Sequence, residues 1–486
     1  MKTLQDILYR VPLEATIGNI KTPITTVCFD SRAVKEGAVF VALKGTQVDG
    51  HDFISKAIEK GAVAVVVEDI PTGLADEQVV IQVDNTHKAL SIMAANFYDN
   101  PSKKLELVGV TGTNGKTTVT SLLSKVFSYA GHKTGLISTV AITYLDQEYL
   151  ATHTTPDPMV INKHLHAMVE GGVSHCFMEV SSHGIDQERT TGLHFSGGIF
   201  TNLTHDHLDY HGSFAEYRDV KKRFFDQLPA SAFALVNWDD KNGAFMLQNT
   251  PAKKYSYALQ NYADFQGAVL ENQFQGMLLK MDNTEVWTTL VGSFNAANLL
   301  AVYGCGLLMG LDRMDLLQYV SKLQNVAGRF QTFESPDKVV VVVDYCHTPD
   351  ALENVLQTIN KIRTNNESLI TVVGCGGNRD REKRPLMGEI AAKYSNKVIF
   401  TSDNPRDEDP ELIIKQMVAG VAPEDYKKVL NVVSRREALN VAHHLSQPKD
   451  VILIAGKGHE TYQEIKGERH PFDDYKIAQT IFLKKD

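Results

Sequence analysis

Residues 105–130 combine a short apolar run, a glycine-containing loop and an amphipathic helical pattern, LELVGVTGTNGKTTVTSLLSKVFSYA. Gly112, Gly115, Lys116 and Thr117 fit a P-loop, in which backbone N–H groups and a helix N-terminus hold phosphate oxygens. Lys116 would reach the β and γ phosphates, and the Thr117 hydroxyl would bind Mg²⁺. Gly109 is separated from Gly115 by five residues instead of the usual four, so an ordinary strand-to-helix turn is the alternative. The order of strand, loop and helix favours the P-loop.

Two further polar residues end short apolar runs. Glu179 closes CFMEV and Asn202 closes GGIFTN, which places both at the carboxyl ends of predicted strands, where open α/β sheets bind ligands. Carboxylate and other oxygen ligands, together with phosphates, suit Mg²⁺. His207 follows shortly after, and a histidine satisfied in a loop beside Asp206 and Asp209 is an equally good interpretation of it from the residues alone.

The next helix carries a lysine on its apolar side. Ser213 and Glu216 form a capping-box pattern, so we expect the helix to begin there. At 100° per residue, one apolar stripe contains the residues Tyr217, Val220, Phe224 and Leu228, with Lys221 inside it, whereas Lys222 and Arg223 are expected to face solvent. Desolvation would lower the pKa of Lys221, and a neutral amine can react with CO₂ to give a carbamate, an anionic oxygen ligand for Mg²⁺. A lysine that reaches solvent at the stripe edge is the alternative.

The elements that must position these residues fall into three blocks. Residues 1–100 alternate apolar runs (39–43, 62–67) with helical patterns (52–60, 86–97), and the segment 100–104 is typical of a linker. The second block runs from the strand 105–110 to residue 329. The third starts at 338 and carries five apolar runs, at 339–345, 369–374, 397–401, 428–433 and 451–454, separated by helical patterns such as 350–362. This alternation predicts a parallel sheet covered on both faces, and the fold class is α/β with three domains.

Composition narrows the function classes. The chain has 486 residues, a net charge of −9 and 43% hydrophobic residues, which is typical of a globular enzyme and unfavourable for nucleic-acid binding. No apolar run approaches the roughly 20 residues of a membrane span, and the N-terminus has no signal-peptide pattern. The five cysteines are scattered, which fits free thiols in a reducing cytoplasm.

Ordered motifs over nearly the whole chain resemble those of the Mur ligase superfamily. TGTNGKTT is similar to its P-loop variant, and further matching motifs are FDSR (29–32), HTTPD (153–157), MEVSSHG (178–184), FTNLTHDHLDYHG (200–212), GSFNAANLLA (292–301), DYCHTPD (344–350), RPLM (384–387), DNPR (403–406) and AGKGHE (455–460). The resemblance implies a ligase that adds the third residue of the peptidoglycan stem peptide to UDP-N-acetylmuramoyl-L-alanyl-D-glutamate. We expect this ligase to be a cytoplasmic monomer that binds only small-molecule substrates. Its implied domains are a UDP-sugar-binding domain (1–102), a central ATP-binding P-loop domain (103–334) and a C-terminal Rossmann-like, amino-acid-binding domain (335–486).

The resemblance also implies site residues, set by set. Its ATP-binding positions are Gly112, Thr113, Asn114, Gly115, Lys116, Thr117, Thr118, Asn295, Arg329, Asp344 and His347. Its UDP-sugar-peptide positions are Phe29, Ser31, Thr154, Thr155, Ser181, Gln187 and Arg189. Its amino-acid positions are Arg379, Asp403, Asn404, Pro405, Arg406, Gly456 and Glu460. Thr117 and Glu179 would hold one Mg²⁺, His207 a second, and Lys221 would be carbamylated; Lys116, Lys221 and His207 are the implied catalytic residues.

The DNPR run resembles the form of the motif that accepts meso-diaminopimelate. Arg406 offers a planar two-pronged donor to a carboxylate, and diaminopimelate differs from lysine by a second carboxylate. The run 403–406 is also a plausible turn, since Asn-Pro favours one. The alternatives are the same ligation with L-lysine, a folylpolyglutamate synthetase, against which FDSR, DNPR and the first domain argue, and a P-loop switch protein without amino-acid dependence.

Overall fold

The structure is a computed structural model that describes residues 2–45, 48–72, 78–204, 206, 208–364 and 366–484, with the backbone alone at 208 and 209. Its strands form three larger sheets of five, eleven and six strands in chain order, together with two small two-stranded sheets. None of the helices in these ranges is long and apolar enough to cross a membrane.

The first unit is built on the five-stranded sheet, in the order β2-β7-β6-β5-β4. Strands β4 to β7 are parallel, and β2 is antiparallel to β7. Its elements are β1 (Lys2–Thr3), α1 (Leu4–Ile7), β2 (Ala15–Ile17), β3 (Pro23–Ile24), β4 (Thr26–Cys28), β5 (Ala38–Val41), α2 (Ile54–Glu59), β6 (Ala62–Val67), β7 (Val79–Gln82) and α3 (Thr86–Phe97). The predicted linker contains a 3₁₀ turn, Pro101–Lys103.

The central unit contains the eleven-stranded sheet, in the order β11-β10-β9-β12-β8-β13-β14-β15-β16-β17-β18. Its elements are β8 (Glu106–Thr111), α4 (Lys116–Tyr129), β9 (Thr134–Ile137), β10 (Ala141–Tyr144), β11 (Gln147–Leu150), α5 (Pro158–Glu170), β12 (His175–Glu179), α6 (Ser182–Asp186), β13 (Gly197–Phe200), α7 (Leu208–His211), α8 (Phe214–Asp226), β14 (Phe233–Asn237), α9 (Gly243–Met246), β15 (Lys253–Ala258), β16 (Phe265–Gln273), β17 (Gly276–Met281), β18 (Thr284–Thr288), α10 (Ser293–Leu308) and α11 (Arg313–Lys322). Strands β9, β12, β8, β13, β14 and β15 are parallel, so their carboxyl ends share one edge.

The third unit contains the six-stranded sheet, in the order β19-β20-β24-β21-β22-β23. Its elements are β19 (Gln331–Glu334), β20 (Val340–Asp344), α12 (Pro349–Ile362), β21 (Leu369–Val373), α13 (Lys383–Tyr394), β22 (Lys397–Phe400), α14 (Pro410–Val418), β23 (Val429–Asn431), α15 (Arg435–Leu445), β24 (Val451–Ala455), β25 (Tyr462–Ile465), β26 (Glu468–Pro471) and α16 (Asp474–Phe482). All five predicted strands are present and mutually parallel, which confirms the prediction.

Apolar cores cover both faces of the third sheet. Val340 and Val342 pack into one core, and Val341 and Val343 pack into the other, as the two-residue period of a strand requires. Strand β19 pairs antiparallel with β20 at the sheet edge. The third sheet therefore begins at residue 331, four residues before the predicted start of the third domain; the domain boundaries themselves stay a prediction.

Candidate functional site

The loop 112–115 joins β8 to α4 in a shape that needs glycine. Gly112 has φ +151° and Gly115 has φ +88°, and a Cβ on Gly112 would lie 1.9 Å from Thr201 Oγ1. Gly115 is the N-cap of α4. Because a side chain at either position would be strained or would clash, the loop can wrap closely around the start of the helix and direct its N–H groups at an anion.

The segment after the neighbouring strand β13 fixes this loop. The N–H of Thr113 donates to the Asn202 carbonyl at 2.8 Å, and the N–H of Asn114 donates to Asn202 Oδ1 at 2.9 Å. In return, Thr201 Oγ1 donates to the carbonyl of Asn114 at 2.6 Å. The loop is thus held rigidly on one side, which is the preorganisation that a phosphate site needs.

Lys116 begins α4, and its side chain folds over the loop. Its Nζ donates to the carbonyl oxygens of Gly112 at 3.0 Å and Thr113 at 2.8 Å. Burial lowers the pKa of Lys116, while the carboxylates of Glu179 and Asp206 oppose that shift. The Lys116 amine therefore lies over the loop that would hold the phosphates of a nucleotide.

Helix α8 begins at the predicted residue, with Ser213 Oγ accepting the N–H of Glu216. The predicted stripe is confirmed, and Lys221 within it is only 1% exposed. Its Nζ donates to the Gly112 carbonyl at 3.0 Å and lies 4.8 Å from the centre of the Tyr217 ring. Burial, and then the nearby Lys116 ammonium, hold the pKa of Lys221 well below its usual range.

The expectation for Lys222 is wrong. Its side chain is buried, its Nζ donates to both carboxylate oxygens of Asp226 at 2.7 Å, and it lies 5.8 Å from the centre of the Phe245 ring. The reason is that α9 packs against this side of α8, and a single helix's periodicity cannot reveal a second covering helix. Arg223 is partly exposed, as expected, and forms an ion pair with Asp186 at 2.5 Å.

Glu179 ends β12, and it is fully buried. Its two carboxylate oxygens accept the N–H of Thr139 at 2.8 Å and the Thr139 hydroxyl at 3.1 Å. Thr139 follows β9, the strand beside β12, and nothing in its local sequence marks it. Only the order of the strands brings Thr139 to Glu179, so the sequence alone does not identify it.

Oxygen donors with the chemistry of a magnesium site lie at these strand ends. Thr117 lies in the first turn of α4, the Glu179 carboxylate ends β12, and Lys221 reaches the loop 112–115 from α8. Hydroxyl and carboxylate oxygens, completed by phosphate oxygens, fit Mg²⁺. Across the part of the chain that the structure describes, no group of three or more His, Cys, Asp or Glu side chains could hold a metal. His207 lies outside the described residues.

The residues expected at the sugar-peptide substrate form one network beside Glu179. Thr155 Oγ1 donates to the Glu179 carbonyl at 2.9 Å and accepts the N–H of Ser181 at 2.9 Å. Arg189 donates to the Thr155 carbonyl and to Gln187 Oε1, both at 2.6 Å. The hydroxyl of Thr154 completes the network through Thr139 at 3.0 Å.

The two remaining substrate residues lie in the first unit, after β4. Phe29 is 36% exposed and Ser31 is buried. This unit contacts the network through α3, where Ser91 Oγ donates to the carbonyl of Glu188 at 2.7 Å. Since Glu188 separates Gln187 from Arg189, the first unit is attached directly to the loop that carries two of the expected substrate contacts.

A further set of expected nucleotide residues closes the P-loop from the third-unit side. Arg329 donates to Thr117 Oγ1 at 3.0 Å, and its guanidinium lies 4.6 Å from the centre of the Tyr345 ring. Asp344, at the end of β20, accepts the N–H groups of Phe330 and Cys346, both at 2.7 Å. Burial raises the pKa of Asp344, and Arg329 counters that shift.

His347 and Asn295 approach the same region from two elements. His347 is exposed in the loop after β20, and its Nδ1 is 2.9 Å from the Tyr345 carbonyl. Asn295 is buried in the first turn of α10 and accepts the Nδ2 of Asn298 at 3.3 Å. A Cβ on Gly115 would lie 2.6 Å from Asn298 Oδ1, so α10 packs directly on the phosphate loop. Thr118, in the first turn of α4, is also buried.

The residues expected to bind the amino acid lie at the carboxyl ends of neighbouring strands of the third sheet. The 403–406 segment follows β22, Gly456 follows β24, and the exposed Arg379 follows β21. Asn404 Nδ2 donates to Glu460 Oε2 at 2.8 Å. The fully buried Lys457, which the sequence analysis did not single out, donates to the same Glu460 oxygen at 2.8 Å and to Asn404 Oδ1 at 3.0 Å.

Arg406 has a left-handed backbone, with φ +49°. Its N–H donates to the Glu464 carbonyl at 3.1 Å, and the N–H of Lys466 donates to the Arg406 carbonyl at 2.8 Å, so the β25–β26 hairpin holds this unusual conformation. The side chain donates to the Gly377 carbonyl at 2.7 Å and lies 3.4 Å from Glu464 Oε2. Pro405 is buried next to it.

Three family models match successive parts of the chain: Mur ligase family, catalytic domain (23–98), Mur ligase middle domain (110–306) and Mur ligase, glutamate ligase domain (328–458). A UDP-N-acetylmuramoyl-L-alanyl-D-glutamate–2,6-diaminopimelate ligase from Cytophaga hutchinsonii is 51% identical over 98% of this chain and 98% of its own. A ligase of the same name from Phocaeicola vulgatus is 52% identical over 99% of this chain and 100% of its own. A solved structure of a ligase with the same name is 34% identical, with a TM-score of 0.69 over 99% of this chain and 98% of that chain.

Proposed function

The chain belongs to the Mur ligase family, and from that premise we propose that it joins meso-diaminopimelate to UDP-N-acetylmuramoyl-L-alanyl-D-glutamate with ATP. The reaction forms an amide, ADP and inorganic phosphate in the synthesis of peptidoglycan precursors. The observation that carries this proposal is the meeting of Lys116 and Lys221 on the Gly112 carbonyl, beside the buried Glu179. Relatives about 51% identical over nearly the whole chain bear the name of this ligase.

The first step activates the acceptor. The γ-carboxylate of its D-glutamyl residue attacks the γ-phosphorus of ATP, the bond from that phosphorus to the bridging oxygen breaks, and ADP leaves. The product is an acyl phosphate. The N–H groups of the loop 112–115 and the start of α4 hold the phosphates, and the Lys116 ammonium stabilises the charge that spreads over the transferring group.

The second step forms the amide. An amine of diaminopimelate attacks the acyl carbon, the carbon–oxygen bond to phosphate breaks, and phosphate leaves as the nitrogen loses a proton. Water would destroy the acyl phosphate if it entered, so the third unit must cover the P-loop during this step. Arg329, which precedes β19 at the junction of the two units, donates to Thr117 Oγ1.

We propose that Thr117, Glu179, His207 and the carbamate of Lys221 hold Mg²⁺. When bound, Mg²⁺ would neutralise charge on the phosphate oxygens. The support from this chain is the fully buried carboxylate of Glu179 and the lowered pKa of Lys221, because the neutral amine is the form that reacts with CO₂. Thr139 orients Glu179 through both of its carboxylate oxygens.

The amino acid would enter at the carboxyl edge of the third sheet. We propose that Arg406 and Arg379 bind its carboxylates and that Asn404 and Glu460 bind an ammonium group. Asp403 and Gly456 would form the floor of this amino-acid site, since a Cβ on Gly456 would lie 2.8 Å from Asp403 Oδ2. L-lysine is the alternative substrate, and it lacks the second carboxylate that Arg406 would recognise.

The experiment that tests the function is ADP release from ATP with the UDP-linked dipeptide, scanned over candidate amino acids. ADP release that needs both the dipeptide and diaminopimelate supports the ligase. Steady hydrolysis without an acceptor would favour a switch protein, and turnover with folate and glutamate would favour a folylpolyglutamate synthetase.

We further propose the predicted domains at 1–102, 103–334 and 335–486 as functional units for the sugar nucleotide, ATP and the amino acid, respectively. We also propose that the protein acts as a monomer in the cytoplasm on these small-molecule substrates. All five cysteines are free, which supports a reducing compartment.

A further inference from the structure

Asp350 is a third-unit residue whose carboxylate contacts the central unit. It lies in the first turn of α12, whose N-cap is Thr348. Its Oδ2 atom accepts the Asn114 side-chain amide at 3.0 Å and the Thr204 hydroxyl at 3.0 Å. One carboxylate oxygen therefore connects α12 to the phosphate loop and to the segment after β13.

Both partners are parts of the phosphate site. The backbone of Asn114 is already fixed by the segment 201–202, and its side chain is the part that turns to Asp350. The N–H of Thr204 donates to Thr113 Oγ1 at 3.0 Å, so Thr204 also belongs to the loop's support. A shift of α12 would therefore displace both the Asn114 side chain and Thr204.

The hydrogen bonds to the Asp350 carboxylate can hold the two units together strongly. A charged acceptor makes hydrogen bonds roughly twice as strong as neutral ones. Asp350 is partly buried, which reduces screening by solvent. Asn354, one turn along α12, donates a third bond to the same oxygen at 3.2 Å from within the same helix.

We propose that Asp350 is a positioning residue that locks the third unit onto the phosphate loop and thereby keeps ATP consumption coupled to amide formation. This inference rests on the proposed ligase function. With the lock intact, α12 seats the third unit over the acyl phosphate and excludes water. Without it, the third unit docks loosely, and water reaches the intermediate before the amine does.

The test compares ADP release with amide formation in the full-length enzyme. Wild type should release about one ADP per amide bond, because the closed site excludes water. Asp350→Ala should release several ADP per amide, because water reaches the acyl phosphate before the amine does. Thr204→Val removes the second donor while keeping the side chain's shape, so it should raise the same ratio to a smaller extent.

Asn354→Ala is the matched control, because it removes only the bond within α12 and should keep the ratio of wild type. If Asp350→Ala and Thr204→Val both lower ADP release and amide formation by equal factors, the ratio is unchanged and the lock is refuted. If Asp350→Ala does not fold, Thr204→Val decides alone. A wild type that forms no amide would instead refute the proposed function.

Discussion

Lys116 and Lys221 share one acceptor: each side-chain nitrogen lies 3.0 Å from the carbonyl oxygen of Gly112. Two ammonium groups this close repel each other, and Lys221 is the more deeply buried of the two. Burial first and Lys116 second hold the pKa of Lys221 well below its usual range. This arrangement supports the proposal that Lys116 contacts the phosphates and that Lys221 reacts with CO₂.

Replacing Lys221 tests the proposed carbamate. Lys221→Ala should lose most amide-forming activity because an oxygen ligand for Mg²⁺ disappears, and acetate or another short carboxylate should restore part of it. Activity is measured as amide formed at saturating ATP. A fully active Lys221→Ala enzyme in CO₂-free buffer would rule the carbamate out.

The control for this experiment is the neighbouring Lys222. Lys222→Met keeps the buried side-chain stem and removes the ammonium that pairs with Asp226. It should lower the thermal unfolding temperature slightly and leave amide formation near that of wild type, since Lys222 faces α9 and not the phosphate loop. An equal loss of activity in both variants would point to damage to α8 instead of a lost ligand.

The lowered pKa of Lys221 also predicts a pH dependence of stability. Between that lowered pKa and about 10.4, the unfolded chain carries a proton on Lys221 that the native protein does not. The unfolded state binds more protons, so the free energy of unfolding of wild type should rise with pH relative to Lys221→Met. Denaturant titrations in CO₂-free, Mg²⁺-free buffer measure the free energy of unfolding of both proteins. A difference between them that is constant with pH contradicts a neutral Lys221.

Thr139 should matter through Glu179. Thr139→Val removes the hydroxyl that holds one carboxylate oxygen and keeps the N–H that holds the other. Loss of one hydrogen bond to a charged group predicts about a tenfold lower kcat/KM at limiting Mg²⁺, with recovery at high Mg²⁺. Thr143→Val, on the adjacent strand β10, is the control, and a loss that Mg²⁺ cannot relieve would argue against the positioning role.

Arg406 tests the choice of amino acid. Truncating one partner of a desolvated charged pair costs roughly 2–5 kcal/mol, so Arg406→Ala should lower kcat/KM for diaminopimelate at least about thirtyfold. Use of lysine should change little, because lysine has no second carboxylate. Glu464→Gln, which removes the charge facing Arg406 at 3.4 Å, is the companion variant and should affect diaminopimelate more than lysine. Equal losses for both amino acids would mean that Arg406 supports the fold instead.

Much of the fold was predictable because strand and helix periods are local. The runs of valine and isoleucine in the third unit predicted the five parallel strands, and the helix at residues 86–97 was found with its observed bounds. The edge strand β19 was not anticipated, because its place depends on pairing with β20 and on no pattern of its own.

The site was predictable where a motif carries the chemistry and unpredictable where distant elements meet. The glycine loop before α4 and the burial of Lys221 follow from the sequence. Thr139 and Asp350 do not, since one depends on the order of β9 and β12 and the other on the docking of α12. Lys222 was placed in solvent because α9, which covers it, follows two elements later in the chain.

The proposed ligase reaction is measured directly as amide formation from ATP, the UDP-linked dipeptide and either meso-diaminopimelate or L-lysine, followed together with ADP release. Lys116→Ala is the inactive control for both measurements, because it removes the charge that stabilises the transferring phosphoryl group. Wild type is expected to form amide with diaminopimelate in strong preference to lysine and to release ADP only with the dipeptide, while Lys116→Ala is expected to form no amide. Preference for lysine, or ADP release that needs no dipeptide, would contradict the proposed ligation of diaminopimelate.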